Sequence, residues 1–188
     1  MLPPREASLV PWQEIAVDLI GPWNISVHNI ELTLNALTII DTVTNLVELI
    51  RVSNKSAAHV GLQLENAWLS RYPRPQFIIH DQGPEFKGQG FQRVLERHKI
   101  HGHLTTVKNP QANAICEHLH QTVTNVLRPL LHIHPPQDIN EANLIMDTAL
   151  QTASYSARAA IHHTLQTTPG ALAFHRDMLL NIPVIADL

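Results

Sequence analysis

Apolar positions are grouped differently in the first third of the chain and in the rest of it. Residues 15–20, 32–40 and 46–52 form short runs rich in Ile, Leu and Val, which is typical of buried β-strands. Residues 41–45, Asp-Thr-Val-Thr-Asn, separate the last two runs and favour a turn. The pattern therefore predicts that three strands open the fold, with a hairpin between the second and the third.

Beyond Ser56 the pattern alternates between helices and strands. Residues 76–80, a short buried run, and residues 101–107 are predicted to form a fourth and a fifth strand. Ser56 is placed to cap the first helix, and Asn109 followed by a proline marks the start of a later one. Pro129 is expected to kink or end that later helix. The helical segments predicted from the spacing cover residues 57–70, 87–99, 109 to about 129, 140–165 and 170–180.

The helix that begins near Asn109 has an apolar face and a polar face. Its predicted core positions are Ile115, Leu119, Val123, Val126 and Leu130. Its predicted polar positions are Glu117, Gln121, Thr124 and Arg128. Glu117 therefore points away from the core and toward a site.

Three acidic residues are the strongest chemical signal in the chain. Asp18 and Asp81 each lie at or next to the end of an apolar run, so each is predicted to project from the tip of a buried strand. An unpaired charge in such a place is costly without a cation. Together with Glu117, 36 positions after Asp81, they predict a carboxylate triad that binds divalent metal.

The composition fits one domain in a reducing setting. The 188 residues are 44% hydrophobic, which is enough for one buried core, and the single cysteine excludes an internal disulfide. We expect residues 1–11 to be a linker, 12–183 the core domain and 184–188 a tail. No apolar run approaches the roughly 20 residues of a membrane span, and the N-terminus lacks the apolar core of a signal peptide, so we expect a soluble intracellular protein without a membrane partner.

The charge distribution bears on a nucleic-acid partner. The net charge of −3 argues against one, because phosphate binding usually shows as a basic excess. Residues 71–108 nevertheless hold seven basic residues against three acidic ones, so the segment around Asp81 carries +4. Two divalent ions on the triad would move the whole to +1. The alternative interpretation of the basic segment is an ordinary solvated face.

Four ordered motifs resemble the catalytic core of a retroviral-type integrase, with those of gypsy-type LTR retrotransposons the nearest. The stretch PWQEIAVDLIGPW resembles the family's first strand with its Asp and Gly-Pro, and IIHDQGPEFKGQGFQRVL resembles its Asp-x-Gly-x-x-Phe segment. The stretch NPQANAICEHLHQTVTNVL resembles its Pro-Gln-x-Asn-x-x-x-Glu helix. The closing SARAAIHHTLQTTPGALAFHRDMLLNIPV resembles the family's end, where Thr-Pro precedes a short apolar helix and an Arg. The resemblance covers nearly the whole chain.

The resemblance implies an α/β fold of the ribonuclease H type, a mixed five-stranded sheet flanked by helices. It implies a metal-dependent polynucleotidyl transferase that carries out 3′-end processing and strand transfer on DNA. Hard oxygen ligands suit Mg²⁺ or Mn²⁺, and two such ions can activate the nucleophile and stabilise the leaving oxygen. Asp18 would bridge the ions, Asp81 would bind one and Glu117 the other.

The resemblance also implies partners and a cellular location. DNA contacts are expected at Lys108, Gln111, Asn113 and Gln121. We expect a homodimer or higher oligomer through the first and last long helices, and a nuclear location after passage through a cytoplasmic particle. Because the chain holds no His-His-Cys-Cys zinc domain, we expect it to be a fragment of a longer polyprotein.

Two alternatives stay open at the level of sequence. The chain departs from the family pattern at Gln82, Ala114 and His118, which favours a degenerate copy or a non-catalytic interaction module with the integrase fold. A nonspecific ribonuclease H-type nuclease is the third interpretation. Pairs such as His118 and His120 do not predict a metal site, because positions i and i+2 of a helix face apart.

Overall fold

The computed structural model describes residues 10–28, 30–104, 110–162 and 165–176, with residues 110–116 described by their backbone alone. In this part of the chain five strands form one mixed sheet with the order β3-β2-β1-β4-β5. The strands are β1 Glu14–Val27, β2 Ile30–Asp41, β3 Val47–Val52, β4 Phe77–His80 and β5 His101–Leu104. The first three strands are antiparallel neighbours, whereas β1, β4 and β5 run parallel.

Helices cover both faces of this sheet. They are α1 Ala57–Leu64, which continues into a π-helical turn at Glu65–Leu69, α2 Pro84–Lys87, α3 Gln89–His98, α4 Pro110–Ile133, α5 Ile139–Ala159 and α6 Pro169–Phe174. Side chains of α1, α2 and α3 pack with one face of the strands, and those of α4 and α5 pack with the other. The predicted α/β fold with a mixed five-stranded sheet flanked by helices is confirmed.

Strands β1 and β2 are longer than predicted. β1 continues to Val27 and β2 already begins at Ile30. The physical reason is an alternation that a search for continuous apolar runs overlooks: Ile25 and Val27 are buried, while Asn24 and Ser26 are exposed. At the other edge, β5 is described only to Leu104, and the rest of the predicted fifth strand lies outside the described residues.

Several helix boundaries also differ from prediction. Gly88 has extended backbone and separates α2 from α3, and Lys99 ends α3 in the left-handed conformation. α4 continues past Pro129 to Ile133, so, of the two predicted effects of this proline, a kink or an end, the end is wrong. Pro129 is exposed, which leaves the buried side of the helix intact. α5 ends at Ala159, six residues before its predicted end at residue 165.

The buried face of α4 is close to the predicted one. Leu119 and Val123 are buried, and Leu127 completes their stripe, while Val126 is only half-buried. The side chain of Ile115 lies outside the described part of the chain. None of the described helices is both long enough and apolar enough to span a lipid bilayer.

Candidate functional site

Asp18 lies inside β1 rather than at its tip, which corrects the prediction from sequence. It is the fifth of the strand's fourteen residues and is half-buried. The strand does not stop at Gly21-Pro22 because pairing with β2 resumes at Trp23 and Leu34. The Oδ1 atom of Asp18 accepts a hydrogen bond from the backbone N–H of Leu19 at 2.8 Å.

The parallel register of β1 and β4 leads toward Asp18 and Asp81. Ala16 on β1 is opposite Ile79 on β4, and this is the last paired position of the two strands. Asp18 is two residues further along β1, and Asp81 is two residues beyond Ile79, just after β4 ends. Continued that far, this register would bring Asp18 and Asp81 opposite each other, at the spacing of about 4.8 Å that separates neighbouring strands. Asp81 is exposed and follows β4 directly, as predicted from its sequence.

The loop after Asp81 is built around its carboxylate. Oδ1 of Asp81 accepts a hydrogen bond from the backbone N–H of Gly83 at 2.8 Å. A side chain at position 83 would place its Cβ 2.7 Å from Cδ of Glu85 and 2.9 Å from Oδ1 of Asp81, so both carboxylates would have to shift to admit it. The sequence motif marked this glycine without explaining it.

A buried histidine supports the same loop. His80 is 3% exposed and lies against the rings of Phe86 and Phe91. Its Nδ1 donates to the carbonyl oxygen of Asp81 at 2.7 Å, which assigns the proton to Nδ1. This support was missed from the sequence, where His80 counted only as the last residue of a strand.

A bulge in β1 sets which side of the sheet Trp23 faces. Between Ile20 and Trp23 the strand advances three residues, while its partner β2 advances two, from Ala36 to Leu34. The extra residue restores Trp23 to the face that Ile20 and Asp18 share. This is the face covered by α4 and α5.

Trp23 then makes two contacts that orient α4. Its Nε1 donates to Oγ1 of Thr124 at 3.0 Å, and its ring meets the His120 ring edge-on with centroids 4.8 Å apart. Glu117 lies three residues before His120 and seven before Thr124, so it shares their face of the helix. Glu117 is exposed and lies nearer the start of α4 on this face. No sequence signal singled out Trp23 for this role.

The three carboxylates do not meet in a closed metal site. Asp18, Asp81 and Glu117 are all described, yet no group of three or more His, Cys, Asp or Glu side chains among the described residues is arranged to hold a metal ion. Their chemistry nonetheless fits divalent metal, because carboxylate oxygens are the ligands that Mg²⁺ and Mn²⁺ prefer.

The predicted DNA contacts fall only partly within the described structure. Lys108 lies outside it, and of Gln111 and Asn113 only the backbone is described, in the first turns of α4. Gln121 is exposed one turn after Glu117, and its Nε2 donates to Oδ1 of Asn125 at 2.9 Å.

The basic segment 71–108 is divided between the two ends of the sheet. Lys87 follows Asp81 at the carboxylate end, where its Nζ donates to Oε1 of Gln82 at 2.9 Å. Arg74 and Lys99 lie at the opposite end. A backbone hydrogen bond joins His101 to Gln76 where β4 and β5 begin, and Arg74 and Lys99 come two residues before Gln76 and His101, respectively. The segment is therefore positive in sequence, but its cations lie at both ends of the sheet, and only part of that charge is near Asp81.

Comparison with solved structures shows the same fold in three retroviral integrases. The chain is similar to a chain of the simian T-cell lymphotropic virus intasome in complex with PP2A regulatory subunit B56 gamma, with 18% identity, a TM-score of 0.70 and coverage of 97% of this chain and 61% of that one. It is similar to the BIV integrase catalytic core domain with 17% identity, a TM-score of 0.61 and coverage of 86% and 93%. It is also similar to the HTLV-2 integrase catalytic core domain in complex with magnesium, in its trimeric form, with 16% identity, a TM-score of 0.64 and coverage of 89% and 99%. At these identities the likeness establishes the ribonuclease H-like fold.

Comparison of sequences establishes the family. No functionally curated protein matches the sequence. The profile of the family described as integrase core domain matches residues 16–110, about half of the chain, and this range contains Asp18 and Asp81. The chain belongs to the integrase core domain family.

Proposed function

We propose that this chain is a metal-dependent polynucleotidyl transferase core that integrates the DNA of a gypsy-type LTR retrotransposon. The observation that carries the proposal is the register of β1 and β4; continued by two residues, it would bring Asp18 and Asp81 side by side just past the end of β4. Two neighbouring carboxylates at one end of a sheet repel each other, and a divalent cation between them removes that repulsion. The family match supports DNA processing as the use of this site.

Asp18, Asp81 and Glu117 are the residues that would hold the metal, as two Mg²⁺ or Mn²⁺ ions. When bound, such ions supply an activated oxygen nucleophile and stabilisation of the leaving oxygen during phosphodiester transfer. The magnesium in the HTLV-2 structure supports this choice of ion. The chain's own contribution is to fix the carboxylates: Gly83 N–H holds Asp81, Leu19 N–H holds Asp18, and the Trp23 contacts orient the helix of Glu117.

The DNA partner and the assembly belong to the same proposal. Lys108, Gln111, Asn113 and Gln121 would contact the DNA end beside Glu117. A homodimer or higher oligomer is supported by the trimeric form of the HTLV-2 core and by the intasome of the simian virus. Integration would take place in the nucleus, after a cytoplasmic particle has carried the protein there.

The experiment is a joining assay with the 188-residue chain, a labelled DNA with a recessed 3′ end, and Mg²⁺ or Mn²⁺. The Asp81→Asn variant loses a ligand from an exposed position, so it should fold normally, as checked by circular dichroism, and lose metal-dependent joining and nicking. Glu96→Gln is the matched control, because it neutralises an exposed carboxylate on α3 away from Asp81 and should keep wild-type activity.

The same assay decides between the proposal and its alternative. Equal activity of Asp81→Asn and wild type would remove Asp81 from the mechanism. If the wild-type chain neither binds metal nor joins DNA, the non-catalytic or degenerate interaction module is favoured.

A further inference from the structure

The residue directly opposite Asp18 on the neighbouring strand is a threonine. Asp18 and Thr38 are register partners in the antiparallel pair of β1 and β2, so their side chains leave the sheet on the same face. For directly opposed residues the Cβ atoms are about 4.5–5.5 Å apart. A hydroxyl on one side and a carboxylate on the other can span that gap at hydrogen-bond distance.

The hydroxyl of Thr38 is buried and has no partner. Thr38 is 0% exposed, and its Oγ1 makes no hydrogen bond within the described part of the chain. Buried polar side-chain atoms are nearly always hydrogen-bonded, so an unpaired one points to a partner that the structure in this state does not supply. Thr38 therefore stands out among the buried side chains of the sheet.

The surroundings of Thr38 leave few acceptors for this hydroxyl. Its neighbours on the same face of β2 and across the strands on either side are apolar, apart from Asp18 and Arg51; the apolar ones are Ala16, Ile20, Ala36, Ile40, Val47 and Leu49. Arg51 has only donors, and its guanidinium is paired with Asp147 on α5 at 2.7 and 3.1 Å. Asp18 is thus the one side-chain acceptor among these strand neighbours.

We propose that Thr38 is a positioning residue for the metal site, with its hydroxyl donating to the Asp18 carboxylate when that carboxylate binds a divalent cation. This inference rests on the proposed function, since it assigns Asp18 as a metal ligand. A ligating carboxylate held by a neighbouring donor keeps the rotamer that coordination requires. A threonine in this place supplies the donor from the rigid second strand of the sheet rather than from a loop.

The test is titration of Mn²⁺ alone into the 188-residue chain. Binding is measured by calorimetry or from the paramagnetic resonance signal of the free ion. Thr38→Val keeps the shape and removes the hydroxyl, so it should raise the Kd for Mn²⁺ by about 10-fold. Its thermal unfolding temperature without metal should not fall, because the lost hydroxyl has no partner in that state. Thr38→Ser keeps the hydroxyl and should bind Mn²⁺ within a few-fold of the wild type.

The control is Ile40→Val, which removes one methylene from the next buried position on the same strand and face. It should leave the Kd for Mn²⁺ unchanged. Wild-type affinity in Thr38→Val, or equal losses in Thr38→Val and Thr38→Ser, would overturn the role of the hydroxyl while leaving the metal site standing. Absence of Mn²⁺ binding by the wild-type chain would instead contradict the proposed function, and the inference with it.

Discussion

Replacing Gly21 by alanine tests whether β1 needs the backbone conformation that Gly21 adopts at its bulge. Gly21 has a φ of +116°, a conformation that residues with a Cβ rarely adopt. A Cβ on Gly21 would also lie 3.0 Å from the carbonyl oxygen of Leu34 and 3.1 Å from the ring of Trp23. The backbone oxygen cannot move without disturbing the pairing of β1 with β2.

The magnitude follows from these two effects. A residue held in a sparsely populated backbone conformation costs about 1–3 kcal/mol, and the contact with Leu34 adds to that. We therefore expect Gly21→Ala to lower the free energy of unfolding by about 3 kcal/mol. For a domain of this size about 1 kcal/mol corresponds to roughly 2–4 °C, so the unfolding temperature should fall by about 6–12 °C.

Urea unfolding followed by circular dichroism measures this loss directly. Gly102→Ala is the matched control, because Gly102 is exposed on the edge strand β5 and a Cβ there would meet only side-chain atoms, those of His80 and Leu95, at 3.1 Å. It should cost less than Gly21→Ala. A Gly21→Ala protein within about 0.5 kcal/mol of wild type would refute the reasoning that β1 needs this backbone conformation.

Three further changes probe interactions that hold the fold together. Arg158→Met should lower the free energy of unfolding by about 3 kcal/mol in urea titration, because it leaves the buried carboxylate of Glu48 without its ion pair; a loss below about 1 kcal/mol would contradict this. Burial, and secondly the hydrogen bond to Glu48, raises the pKa of Tyr72 to about 12. The neutral phenol is thus favoured in the folded state. The contribution of Tyr72 to the free energy of unfolding is therefore complete below pH 10 and is lost as the pH rises toward 12. Tyr72→Phe should reduce this loss when the free energy of unfolding is measured between pH 9 and 12. Trp23→Phe should cost about 1 kcal/mol and weaken DNA joining, since the bond to Thr124 is lost, and unchanged stability would count against the role of that bond.

The order of strands and helices could be predicted because it depends on local patterns. Asp81 was placed correctly since a short apolar run ends beside it and turn residues follow. Glu117 was placed on an exposed helix face by spacing alone. Asp18 was misplaced because the apolar run that contains it stops at Ile20, whereas here the bulge keeps β1 paired with β2 beyond that point.

The contacts that complete the candidate site depend on non-local pairing. The inference that Asp81 would lie opposite Asp18 follows from the register of two strands 63 residues apart, as in the pair Ile15 and Ile78, and no local pattern fixes that register. The unpaired hydroxyl of Thr38 depends on the same kind of information, because it matters only once Asp18 is known to be opposite. Spatial neighbours of this kind could not be read from the sequence.

The most direct test of the account is the metal dependence of DNA joining in the Glu117→Gln variant, measured beside wild type and Glu96→Gln. Glu117 comes from a helix rather than from the sheet, so its participation shows whether carboxylates from both parts act as one site. The account predicts metal-dependent joining by wild type and Glu96→Gln, and none above background by a folded Glu117→Gln protein. Joining by Glu117→Gln at the wild-type rate would contradict the claim that the three carboxylates form the catalytic site.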